Sequence, residues 1–313
     1  MFDAVPRKRS HSGHPATPEQ LEIRILPTVD LLFDFVTPGF SQNVVRDQFG
    51  AVTVNATFAV EIENAGNTAA DLTGGTPDVD ADNVFIDFFA SSDDTLDGGD
   101  TFLGNFNVGL FNTSIGPGGS ISFTIGDPFT VPIGPNSAFI IAKVDSTNAL
   151  AETNETNNLK SVDIRTPTLG ITGGGSFLDK KKSLSLDPFI GFLDGDSANY
   201  NGGRITVSFV DAQSKEFLQL FRSGKGADKV KLSGTTLKIG NRTVGTVTGN
   251  KTDNMVIDFT GDLDQFDLQN VLRSIGYKVR SDSPGQRNFT IQLRDPDAND
   301  SPIADKNVIV DFS

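Results

Sequence analysis

Val52-Thr53-Val54-Asn55-Ala56-Thr57-Phe58-Ala59-Val60-Glu61-Ile62-Glu63 is the stretch that decides the fold class. Every second residue from Val52 to Ile62 is apolar, and Thr, Asn, Ala and Glu fill the places between. Successive side chains of a strand point to opposite faces, so this period of two predicts a strand with one face buried and one in water. Asn64-Ala65-Gly66-Asn67 then supplies turn chemistry. Outward from it, further strands are expected at residues 84–90, 120–125 and 138–145, parted by Gly- and Pro-rich segments such as Gly116-Pro117-Gly118-Gly119. No helical pattern of any length interrupts them, so this half reads as an antiparallel β-sandwich.

Charge divides the 313 residues. Residues 28–165 carry 4 basic and 19 acidic side chains, whereas residues 166–313 carry 18 of each. The chain's net charge of −14 therefore resides in its first half. Such an acidic surface excludes nucleic acid as a partner, because phosphate binding needs a positive face. It leaves divalent cations, or plain solubility, as its purpose. Residues 1–27, with 4 basic and 3 acidic side chains, read as a disordered basic tail, and residues 166–175, with Pro167 and Gly173-Gly174-Gly175, as a flexible linker. The expected division is thus a tail (1–27), one sandwich (28–165), a linker (166–175) and a second sandwich (176–313).

Alternation returns in the second half at Ile205/Val207/Phe209, Met255/Ile257/Phe259, Phe289/Ile291/Leu293 and Val308/Val310/Phe312. One segment breaks it. Leu268, Val271, Leu272 and Ile275 fall on one helical face, with Asp267 placed to cap the N-terminus. The second half is therefore expected to be a sandwich with one short crossover helix.

Several motifs carry family resemblances. Val29-Asp30-Leu31, Glu63-Asn64-Ala65-Gly66-Asn67, Ile115-Gly116-Pro117-Gly118 and the corner Ala151-Glu152-Thr153-Asn154-Glu155-Thr156-Asn157-Asn158 occur in the order of the bacterial cell-adhesion-related domain, CARDB. Residues 28–165 resemble that family, which implies a secreted immunoglobulin-like β-sandwich without catalytic apparatus. Leu193-Asp194-Gly195-Asp196-Ser197-Ala198-Asn199-Tyr200-Asn201-Gly202-Gly203 and Leu272-Arg273-Ser274-Ile275-Gly276-Tyr277 resemble the cadherin-like repeats of bacterial surface proteins. Gln20-Leu21-Glu22-Ile23-Arg24-Ile25-Leu26 is similar to the LExRxL element of planctomycete surface proteins. Together these imply an extracellular or cell-surface location, although no signal-peptide apolar core follows Arg7-Lys8-Arg9. No stretch approaches the length of a membrane span.

Calcium is the cofactor the acidic loops suggest, since it takes six to eight oxygen ligands from carboxylates, amides and carbonyls. Asp194 and Asp196 in one loop, and Asp295, Asp297, Asn299 and Asp300 in another, are the leading ligand candidates. Asp93, Asp94, Asp97 and Asp100 form a second acidic hairpin, equally readable as a solvated turn. Asp78–Asp82 imitates the start of an EF-hand loop but has Asn83 and Phe89 where Gly and Glu are required. Glu152, Asn154, Glu155 and Asn158 are expected to cap backbone groups at a sandwich corner.

Enzymatic chemistry finds no support. Cysteine is absent, and His11 and His14, both in the tail, are the only histidines. With no Trp and two Tyr, a sugar-stacking platform is equally unsupported. The reading is a non-catalytic extracellular adhesion or structural protein of rigid modules stiffened by calcium, with cell-surface or matrix proteins or glycans as partners. The alternative is an accessory spacer or binding module of an exported polysaccharide-degrading system.

Overall fold

The computed structural model describes residues 28–310 except residues 50, 73–82, 126–128, 135, 172–175, 179–182, 213–214 and 280–283. Strand makes up 51% of the chain and helix 7%, so the expected all-β class is the observed one. The tail with Gln20–Leu26, the EF-hand-like Asp78–Asp82 and Phe312 lie outside the described residues.

The first half contains β1 (Leu31–Arg46), β2 (Val52–Asn64), β3 (Ala70–Asp71), β4 (Phe85–Ser91), β5 (Thr101–Asn107), β6 (Ser114–Ile115), β7 (Ser120–Thr124), β8 (Phe129–Val131), β9 (Phe139–Val144) and β10 (Leu159–Asp163). One sheet has the order β1-β2-β7, with β8 also on β2; the other has the order β10-β9-β4-β5. Val54, Ala56, Phe58, Val60 and Ile62 of β2 are all buried, as the alternation requires. Phe58 stacks on Phe88 of the opposite sheet at 5.2 Å, and Phe129 lies 4.8 Å from Phe88. Aromatic rings thus fill the space between the sheets. The turn after β2 is organised by Asn64, whose buried amide donates to Thr68 O (2.7 Å) and Ile115 O (2.9 Å) and accepts from Gly66 N (3.0 Å). A Cβ at Gly66 would lie 2.3 Å from Thr28 O, so only glycine fits there.

The second half contains β11 (Thr168–Gly170), β12 (Ser176–Leu178), β13 (Ser183–Ser185), β14 (Gly191–Leu193), β15 (Arg204–Phe209), β16 (Phe217–Leu220), β17 (Val230–Ser233), β18 (Thr236–Ile239), β19 (Arg242–Thr248), β20 (Asn254–Phe259), α1 (Gln265–Ser274), β21 (Ile275–Lys278), β22 (Gly285–Arg294) and β23 (Ala304–Val310). An eight-stranded sheet, β12-β23-β22-β15-β20-β19-β18-β17, is accompanied by the three-stranded β13-β21-β16. The alternating sets on β15, β20 and β22 are buried, and Ile205 sits opposite both Ile257 and Leu293. The crossover helix is present, but its N-cap is Asp264, whose side chain accepts from Asp267 N at 2.9 Å. Asp267 lies in the first turn, buried and paired with Arg46 and Arg242, while Leu268, Val271 and Leu272 are buried as the helical face requires.

The two halves meet through backbone and ion-pair contacts. β1 reaches α1, where the Gln269 side chain accepts from Val44 N (3.1 Å) and donates to Val44 O (2.9 Å), as a neighbouring strand would. The Arg46 guanidinium lies over the Phe266 ring at 4.5 Å. Part of the stretch expected to be a flexible linker is β11, paired antiparallel with β14 from Thr168↔Leu193 to Gly170↔Gly191. No helix among the described residues is long and apolar enough to cross a membrane.

Candidate metal centre

Asp194 and Asp196 flank Gly195, immediately after β14, and Asp295 immediately follows β22. Gly195 presses on the first half: its N–H donates to Ile164 O and its carbonyl accepts from Gly134 N, both at 2.9 Å. A Cβ there would lie 2.0 Å from Ser137 O and 2.4 Å from Ile164 Cδ1. The loop is therefore clamped, and the two carboxylates on either side of it are held in place. Gln265 of α1 braces the loop from the other side, donating to Asp194 O (2.7 Å) and Ser197 O (3.0 Å).

These elements bring Asp194, Asp196 and Asp295 together, with one carboxylate oxygen of each within 4.8 Å of the others. Oxygens that share a calcium ion at about 2.4 Å lie no more than about 4.8 Å apart, so the hard-oxygen set fits such an ion. Asp194 is buried and accepts from Ser197 N (3.3 Å) and from the hydroxyl of Tyr200, itself fully buried. Asp295 accepts from Asn299 N and Asn299 Nδ2, both at 2.8 Å. Burial pushes the Asp194 carboxyl up to about 8; Tyr200 opposes the shift, while Asp196 and Asp295 add to it. Burial likewise raises Asp295, with Asp196 and Asp297 contributing. Burial beside other carboxylates thus favours the protonated form of Asp194 and of Asp295.

The other candidate ligands are placed differently. Asn299 orients Asp295, and Asp300 is held in a two-pronged pair by Arg294 at 2.8 Å on each arm. Asp297 is exposed at the loop tip. In the first half, Asp93 accepts from Thr95 N (2.9 Å), Asp94 from Thr95 Oγ1 (3.4 Å), Asp97 from Gly99 N (2.7 Å) and Asp100 from Asp97 N (2.7 Å). These are turn contacts, and no metal-sized grouping forms there among the described residues.

One arrangement went unread in the sequence. Asp228, Asp264 and Asp267 converge on Arg46, with Arg46 Nη1 2.7 Å from Asp228 and Arg242 also paired to Asp267. At the sandwich corner, the Glu152 carboxylate accepts from Leu31 N and from Asn158 Nδ2 (2.9 Å), while Glu155 accepts from Glu152 N (2.9 Å). The capping role expected of this corner is what its hydrogen bonds perform. Burial raises Glu152 to about 7, and Asp145 and Glu155 reinforce the shift.

A cavity of about 440 Å³ lies elsewhere in the second half, lined in part by Lys229, Lys231, Ile239 and Arg242. None of the carboxylates with a raised pKa lines it.

No curated protein matches the sequence. The match to a family model covers residues 34–162 and lends no support to a cadherin-like identity for residues 176–313 or to the LExRxL element. The matching family is CARDB, a non-enzymatic immunoglobulin-like family, so residues 34–162 are similar to a CARDB domain.

Proposed function

We propose that this protein is a non-catalytic adhesion or matrix module of the bacterial cell surface, and that Asp194, Asp196 and Asp295 hold a calcium ion that stiffens its waist. The similarity to a CARDB domain carries the first part of the reading. The second rests on the grouping of Asp194 and Asp196, held on either side of Gly195 where the second half touches Ile164 and Gly134 of the first, with Asp295. A divalent cation there offsets the burial that raises Asp194 and the repulsion from Asp196 and Asp295 that adds to it, and it fixes the loop against Ile164 and Ser137. The module's work is then to present surfaces at a set spacing. Its partners are surface or matrix proteins or glycans, met outside the cell.

The test is retention and turnover measured on the same samples. The full chain is incubated with envelope polysaccharide and with envelope protein, then assayed for bound protein and for released reducing ends. Saturable retention without release supports the reading. Release that is lost on replacing one close carboxylate pair would make the protein a hydrolase instead.

A further inference from the structure

The second half is neutral as a whole, but its charges are unevenly placed. Residues 222–251 carry seven basic side chains and one acidic, Asp228, and Arg46 of the first half engages that acid at 2.7 Å. This run forms β17, β18 and β19 at one end of the eight-stranded sheet. Across the β17–β18 hairpin, Lys231 sits directly opposite Lys238. Like charges facing one another in an antiparallel pair destabilise it. Among the described residues neither lysine has an acidic partner to offset that cost, nor has Lys229, two positions before Lys231. A local rule broken with no compensation inside the chain points to function.

The cavity of about 440 Å³ lies at this hairpin. Lys229, Lys231 and Arg242 line it, and no acidic side chain does among the described residues. Arg242 donates to Asp262 O (2.9 Å) and pairs with Asp267, so its guanidinium is fixed and keeps further N–H donors. Exposed Lys229 and half-buried Lys231 bring charge on flexible stems. The volume falls in the range of about 300–1,000 Å³ that suits a small organic ligand, beyond what a bare anion needs. We infer that this cavity seats one acidic sugar unit of a polysaccharide, held by its sulfate or carboxylate group. The anion follows from the cations; the glycan that carries it rests on the proposed adhesive function. With no Trp and both Tyr fully buried, charge rather than stacking on those rings is the handle for such a ligand. A nucleic acid fits less well, because its continuous phosphates need an extended positive face, and the attached first half carries 19 acidic side chains.

Titration calorimetry of the full chain tests it, with heparin and hyaluronan hexasaccharides as the sulfated and carboxylated probes. A neutral dextran oligosaccharide and a short DNA duplex are run beside them. Binding of at least one acidic hexasaccharide, weakening as salt rises, is expected. Lys229→Gln/Lys231→Gln should weaken it roughly tenfold or more with the melting temperature unchanged. Lys143→Gln/Lys160→Gln removes the same charge from the first half and should leave binding as it was. Should the first variant fail to fold, acetylation of the wild type decides: the bound hexasaccharide must shield Lys229 and Lys231. No binding of either acidic probe overturns the inference. So does equal binding of dextran, tighter binding of DNA, equal loss in both variants, or shielding confined to other lysines. Saturable retention by envelope material in any of those cases leaves the adhesive reading standing and refutes this site alone.

Discussion

Two carboxylate clusters in the same half of the molecule are built in opposite ways. Asp228, Asp264 and Asp267 share Arg46, and Arg242 also pairs with Asp267. Asp194, Asp196 and Asp295 form no ion pair among the described residues. Arg165 and Arg294 are close enough to feel the second cluster's field, yet they are engaged with Asp163 and Asp300. The first cluster is neutralised from within the chain and works as a permanent bolt between β1 and α1. The second has no such partner among the described residues, and burial raises Asp194 and Asp295 within it. A bolt is insensitive to the medium, and a cation site is a means of responding to it.

Breaking the bolt should have the largest effect. Arg46→Ala leaves buried Asp267 with Arg242 alone and frees Asp228 and Asp264, at a cost of about 3 kcal/mol, the low end for a broken buried pair. Chemical denaturation reads this, and an unchanged midpoint would show that the halves do not rely on it. Overfilling the waist comes next. Gly195→Ala places a methyl 2.0 Å from Ser137 O and should cost about 2 kcal/mol while weakening any cation effect, since it displaces both flanking aspartates.

The pH dependence separates the clusters further. Asp194 titrates near 8 in the folded protein and near 4 when unfolded, so between those values the folded state holds a proton that the unfolded state has lost. Stability should therefore fall as pH rises from about 4 to 8, by at most about 1.4 kcal/mol per pH unit, and level off above. Asp194→Asn keeps an acceptor for Tyr200 and should flatten that slope in chelator. The smallest effect belongs to the first half. Glu152→Gln removes a carboxylate that titrates near 7 but retains an acceptor for Leu31 N. Rotation of the Asn158 amide offers its unpaired Oδ1 to the new NH₂. A loss below about 1 kcal/mol is expected, with the slope between pH 5 and 7 reduced.

Much of this was legible in the sequence, for reasons that differ by residue. The alternation of β2 is a local signal, and burial of its apolar face follows from it directly. The helix face of Leu268, Val271 and Leu272 is equally local, although the chain chose Asp264 as its cap and spent Asp267 on two arginines. β1 went unread because Pro38 breaks its pattern; the ladder with β2 absorbs that with a register shift between Phe35 and Phe40. Asp194, Asp196 and Asp295 stood out as acidic loop residues, but their meeting depends on β14 and β22 ending side by side. The Arg46 bolt joins positions up to 221 apart, a separation at which no spacing rule operates. Asp93, Asp94, Asp97 and Asp100 show the converse, a dense acidic run whose side chains serve only their own turn.

The central claim is that the arginine-free cluster takes a divalent cation. Thermal melting at pH 8 and at pH 5.5, with calcium and with chelator, addresses it most directly. Calcium at about a hundred times its dissociation constant should stabilise by ~2.7 kcal/mol. The rise in melting temperature should be larger at pH 8, where Asp194 has already given up about half of the proton it holds at pH 5.5, and absent in Asp194→Asn/Asp295→Asn. Identical melts with calcium and chelator at both pH values would contradict the claim and leave a cluster neutralised by protons alone.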